Sequence, residues 1–118
     1  MKFLMTYEQA PTAAPPTPEK MAAIGSFTQQ MLKSGILVMT GGLQRPTKGT
    51  RIKMAAGDFT VTDGPYAETK ELIDGFALVQ VQSKQEALDV ARRFMAIAGD
   101  GQGEILQVFD QGEAPPPR

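Results

Sequence analysis

The chain has 118 residues, 42% of them hydrophobic, which suffices for one modest core and not for two. Twelve Lys and Arg stand against 13 Asp and Glu, and no window gathers the basic run that a phosphate backbone requires, so nucleic acid is not an expected partner. With no Cys and no His, disulfides, thiolate nucleophiles, zinc–thiolate and iron–sulfur sites fall away together, and proton chemistry near neutral pH has to use Asp, Glu, Lys or Tyr.

In chain order, residues 2 to 7 (Lys-Phe-Leu-Met-Thr-Tyr) read as a first strand with Phe3, Met5 and Tyr7 on one face. Pro11, Pro15, Pro16 and Pro18 then make an extended connection. Thr17 is a good N-cap, Pro18 a good first helical residue and Gly35 a good stop. Between them Met21, Ile24, Phe27 or Thr28, and Met31 recur at helical spacing and predict one buried face, with Gly25 a weak point inside the helix.

Residues 36 to 39 (Ile-Leu-Val-Met) predict a strand apolar on both faces that runs into Gly41-Gly42, where the chain can bend or admit another backbone. Residues 51 to 54 and 59 to 63 alternate apolar with polar around Ala56-Gly57-Asp58, the pattern of a half-exposed hairpin. Residues 76 to 81 predict a second doubly apolar strand. Ser83-Lys84-Gln85-Glu86 is a capping box opening a helix whose stripe is Leu88, Ala91, Phe94 or Met95, and Ala98, ended by Gly99. Gly101 and Gly103 read as a turn before a last strand, 104 to 109. Residues 1 to 110 form one domain in this reading, and 111 to 118, with Pro115-Pro116-Pro117, a disordered tail.

The order β-α-β, hairpin, β-α-β is the α+β split βαβ or ferredoxin-like arrangement with an added hairpin, and right-handed crossovers put both helices on one face of the sheet. The other face is then an apolar patch with no cover, so the expected partner is a second copy of the chain, with a ligand cleft between the paired sheets. No apolar run approaches the ~20 residues of a membrane span, and the start turns polar at Thr6, too soon for a signal peptide; the expected location is the cytoplasm, with no membrane partner.

The segment Val61-Thr62-Asp63-Gly64-Pro65-Tyr66-Ala67-Glu68-Thr69-Lys70-Glu71, with Gly75-Phe76 after it, resembles the signature of the DGPF branch of the YCII-related family. The Phe usual in that motif is Tyr66 here. The Met1-Lys2-Phe3-Leu4-Met5 start, Gly41-Gly42-Leu43-Gln44 and the capping-box helix extend the likeness over residues 1 to 109. The resemblance implies a ferredoxin-like fold paired into a dimeric α+β barrel, with a cleft bordered by the motif loop. It brings no settled activity. Some members are encoded near extracytoplasmic-function sigma factors, which admits an accessory or regulatory role, and related proteins are proposed enzymes using a His–Asp pair, which a chain without His cannot form.

Asp63-Gly64-Pro65 is sound turn chemistry in its own right, Asp binding nearby amides, Gly permitting positive φ and Pro fixing the exit. In a functional reading Asp63 faces the cleft as a ligand anchor or as a general base with a pKa raised by burial. Glu68, Lys70, Glu71 and Asp74 pair among themselves as a solvated cluster, or else Lys70 holds an anionic ligand with Glu68 as acid or base. Tyr7 and Tyr66 offer hydroxyls to a ligand, and Arg45 is more simply a surface charge than an anion contact. Catalytic candidates are thus Asp63 and Glu68, and ligand-binding candidates Asp63, Tyr66, Glu68, Lys70 and Tyr7. No metal-ligand spacing and no cofactor motif is recognisable: Gly99, Gly101 and Gly103 follow a helix where a dinucleotide loop would precede one. The residues thus suggest a small-molecule-binding dimer, with an acid–base lyase or isomerase, a carboxylate replacing His, as the rival.

Overall fold

A computed structural model describes residues 1–10, 14–43, 49–63, 74–109 and 112. Helix α1 (Pro18–Lys33) begins where the Thr17 hydroxyl accepts the Lys20 amide at 3.1 Å and Pro18 takes the first helical position, where its missing N–H loses no bond. It ends at Ser34, whose amide donates to the Gln30 carbonyl, and Gly35 turns the chain at φ +81°. Helix α2 (Lys84–Ala98) begins at Ser83, whose hydroxyl accepts the Glu86 amide at 3.2 Å. The Glu86 carboxylate completes the predicted box by reaching back one residue further than usual, accepting from the Gln82 amide at 3.0 Å.

The main sheet is built around β1 (Lys2–Gln9), which lies between β5 (Gly75–Gln80) and β7 (Ile105–Val108), with β2 (Leu37–Gly42) outside β5. Every neighbouring pair is antiparallel. β1 and β2 therefore run parallel across β5, as β5 and β7 do across β1, and each parallel pair is joined by a helix. This is the ferredoxin-like α+β order that the sequence predicts. Phe3, Met5 and Val79 project from the sheet onto Met31 of α1 and Ala87 and Val90 of α2, with Val81 completing the core. Both helices cover that face. On the other face, Leu106, Leu4, Leu78 and Met39 stand in register across four strands, with Met39 52% and Leu106 48% exposed.

Several local expectations need correction. The buried stripe of α2 is Ala87, Val90 and Ala98, flanked by half-buried Ala91 and Phe94; Leu88 lies one position, about 100°, round the helix and is exposed. Met21 is exposed as well. The Gly41-Gly42 pair forms the last two residues of β2, and the register irregularity falls earlier, between Leu37 and Met39. A Cβ on Gly41 would stand 3.1 Å from the Phe76 ring, so what comes close to this glycine is a side chain of the neighbouring strand and not the second backbone expected from the sequence. Gly101-Gln102 is not merely a turn: it forms the short strand β6, paired with Glu8 and Gln9 at the end of β1. Finally, the hairpin of β3 (Thr50–Ala55) and β4 (Asp58–Asp63) forms a separate two-stranded sheet, exposed along its whole length and not on one face alone. The Pro-rich tail from 113 onward lies outside the described residues.

Two glycine substitutions separate close approach from mere flexibility. At Gly25 a Cβ meets nothing within 4 Å, so Gly25→Ala gains about 0.5–1 kcal/mol of stability from helix propensity. A Cβ on Gly103 would collide with the Thr6 carbonyl, so Gly103→Ala is destabilising. Urea denaturation midpoints should therefore move in opposite directions; a shift of the same sign in both would refute the assigned contacts.

Candidate functional site

Between the helix layer and the sheet lies a cavity of about 920 Å³, partly open to solvent and near the upper end of the ~300–1,000 Å³ range of small-molecule sites. Met5 and Ala77 contribute from the sheet, Ile24, Phe27 and Met31 from α1, and Ala91, Phe94 and Met95 from α2. These walls are apolar, and the flexible thioethers can fit ligands of more than one shape.

Polar groups gather where β1 and α2 end and α1 begins. The Tyr7 hydroxyl donates to the carbonyls of Gly99 at 3.1 Å and Asp100 at 3.3 Å, capping the C-terminal end of α2, while its ring meets Phe94 edge-on at 5.3 Å. Asp74, immediately before β5, accepts the Gln9 amide at 2.6 Å through Oδ2. Its own amide donates to the Tyr7 carbonyl, and its carbonyl accepts from the Leu43 amide, both at 2.8 Å. The carboxylate is thereby held by the end of β1, and the Asp74 backbone by β1 and by the residue just after β2. Lys20 also lines the cavity, its Nζ close to Gly99 at the α2 C-terminus, where the helix dipole favours a cation, and it makes no ion pair among the described residues. Burial pushes the Tyr7 pKa above its ordinary value of 10.0, and the negative charges of Asp74 and Asp100 add to the effect. Tyr7 is therefore a neutral donor near neutral pH. A hydroxyl, a carboxylate and an ammonium at one end of an apolar chamber can orient a polar group on a ligand whose body fills the rest.

Of the residues singled out in the sequence, Tyr7 and Asp74 line this cavity. Asp63 does not. It is the last residue of β4, exposed, and its Oδ1 accepts the Thr50 hydroxyl at 2.9 Å. Tyr66, Glu68 and Lys70 lie outside the described residues, as do Glu71 and Arg45. Among the described residues no three carboxylates converge on a metal position. Lys20 and Gln9 were missed. For Lys20 a signal existed: Lys20, Ile24, Phe27 and Met31 continue one stripe at helical spacing, and Lys20 occupies the place assigned to Met21.

Because Tyr7 titrates higher in the folded chain than in the unfolded one, its contribution is complete below pH 10 and is lost as pH rises through the folded value. Stability should fall above pH 10, and Tyr7→Phe should lose about 1 kcal/mol at pH 7 while flattening that fall. Tyrosinate absorbance in a Tyr66→Phe background, which leaves Tyr7 as the one tyrosine, reads the titration directly; ionisation at or below pH 10 would refute the assigned environment.

No helix of the described residues is long and apolar enough to cross a membrane. An uncharacterized protein of Rhizobium meliloti (strain 1021) is 34% identical over 98 residues, which span 80% of this chain and 79% of that protein. The model of the YCII-related domain matches residues 1–111, through both βαβ units and the hairpin between them. The chain, with its ferredoxin-like sheet and its cavity under the helices, belongs to the YCII-related family.

Proposed function

We propose that the protein is a small-molecule-binding homodimer, its sheets paired through their open faces and its ligand held beneath the helices with a polar group at Tyr7, Asp74 and Lys20. The observation that carries the binding reading is the apolar cavity with those three groups at one end. Supporting the pairing is the row Leu106, Leu4, Leu78 and Met39, which no element of the described chain covers.

This places the ligand elsewhere than a cleft between the paired sheets, and for a physical reason. Leucine rows facing one another make a dry interface with nothing to orient a ligand, whereas the helix side offers an apolar body and a polar end together. Asp74 also favours a second reading, an acid–base enzyme in which a carboxylate does the work of the missing His. Its strand-end position leaves the side chain on the cavity wall beside a neutral phenol. Turnover abolished by Asp74→Asn, with folding intact, would bring that reading forward.

The binding reading is tested with N-phenyl-1-naphthylamine, a neutral apolar fluorophore. The wild-type chain should bind one probe per protomer. Ala91→Phe, which fills the chamber from α2, should weaken binding roughly tenfold or more, whereas Leu106→Lys on the opposite face should leave the affinity of each protomer unchanged. Binding that is absent in the wild type, or equal in wild type and Ala91→Phe, would end the proposal.

A further inference from the structure

The polar end of the chamber accepts hydrogen bonds more readily than it donates them. The Tyr7 proton is spent on the Gly99 and Asp100 carbonyls, which leaves the phenol oxygen with lone pairs only. Those carbonyls stand just beyond the C-terminus of α2, where the helix dipole is negative, and Asp74 lines the same cavity. The negative charges of Asp74 and Asp100 reach the phenol, as its raised pKa records. Donors that could oppose them are directed elsewhere: Arg92 pairs with Asp89 at 3.6 Å, and Gln9 Nε2 donates to the Ala14 carbonyl at 3.1 Å. Lys20 Nζ sits close to Gly99, so the chain already places one ammonium near these carbonyls. Aromatic rings complete the end. Tyr7 and Phe94 stand nearly perpendicular, at 87°, and the π face of such a ring attracts a cation.

We infer that the ligand is an organic cation, a primary amine whose ammonium is held by the Asp74 carboxylate, the Tyr7 oxygen and the rings of Tyr7 and Phe94, and whose hydrocarbon body fills the chamber. The inference rests on the binding reading above and names the chemical class that the site takes. An ammonium brings several donors to an end made of acceptors, and its charge has the sign that the helix terminus and the carboxylates favour. Taking an ammonium out of water is costly unless it is paired and hydrogen-bonded, and Asp74 supplies the pair. Its Oδ2 already accepts the Gln9 amide at 2.6 Å, which holds the carboxylate in place for an incoming charge. An aliphatic carboxylate would meet the same apolar walls with Asp74 and Asp100 against it, and an alcohol would meet them without the attraction between charges.

Decylamine, decanol and decanoate share one hydrocarbon tail and differ in the head. Each is titrated, below its micelle concentration and near neutral pH, against N-phenyl-1-naphthylamine bound to the wild-type chain. Decylamine should displace the probe at a concentration roughly tenfold or more below that of decanol, with decanoate the weakest. This ranking is read on the wild-type chain and needs no variant. Asp74→Asn keeps an oxygen for the Gln9 amide while removing the charge, so it should erase most of the amine's advantage over the alcohol, with helix content unchanged by circular dichroism. Decanol or decanoate displacing the probe as well as the amine does, or an advantage untouched by Asp74→Asn, would overturn the cation and spare the binding reading. A wild-type chain that takes up neither the probe nor any of the three would overturn both.

Discussion

The alternation of side chains along β1 is the constraint on which the rest depends. Phe3, Met5 and Tyr7 face the helices, while Leu4 and Thr6 face away, and β1 is hydrogen-bonded to β5 on one side and to β6 and β7 on the other. A slip of one residue would turn Phe3 and Met5 out of the core and bring Lys2, Leu4 and Thr6 into it. The register fixed at Phe3–Val79 and Met5–Ala77 therefore decides at once which residues form the core, which wall the cavity and which form the bare face.

Because the fold rests on period-two and period-3.6 patterns, most of it was legible. Thr17, Gly35 and the Ser83–Glu86 box mark the helix ends through hydrogen bonds local in sequence, and the strand order follows from chirality and short connections. What sequence could not supply was phase where several apolar residues compete for one face. On α2, Ala87 and Val90 join the core cluster with Phe3 and Val79 while Leu88, one position round, does not, and apolar periodicity alone does not rank the three. β6 was illegible for a different reason. Two residues carry no periodicity, and Gly101 and Gly103 signal only that a backbone can come near, not that Glu8 and Gln9 are the backbone that does.

The candidate site was legible in part. Tyr7 stood out as a hydroxyl on an apolar strand face, whereas Asp74 read only as one charge of a cluster with Glu68, Lys70 and Glu71; both reach the chamber because a strand end is where polar groups can meet an interior and solvent. Asp63 drew attention for the same reason, as the last residue of β4, but the hairpin forms its own sheet, so this strand end lies away from the helix-side chamber. A sequence specifies that a hairpin forms more readily than it specifies what the hairpin packs against, because the first is set by neighbouring residues and the second by partners far along the chain or on another chain.

The size of the chamber bears on whether it is a site or a flaw. The ~24 cal/mol per Å³ that an empty sealed space costs does not apply to this 920 Å³ chamber, because it is partly open and solvent reaches it. Water that enters finds hydrogen-bond partners at the Tyr7, Asp74 and Lys20 end, whereas the Met, Ile, Phe and Ala side chains of the walls offer none. An apolar molecule entering the remainder would release poorly bonded water and gain dispersion contacts with both layers, the balance of forces that favours an apolar occupant over solvent in such a chamber.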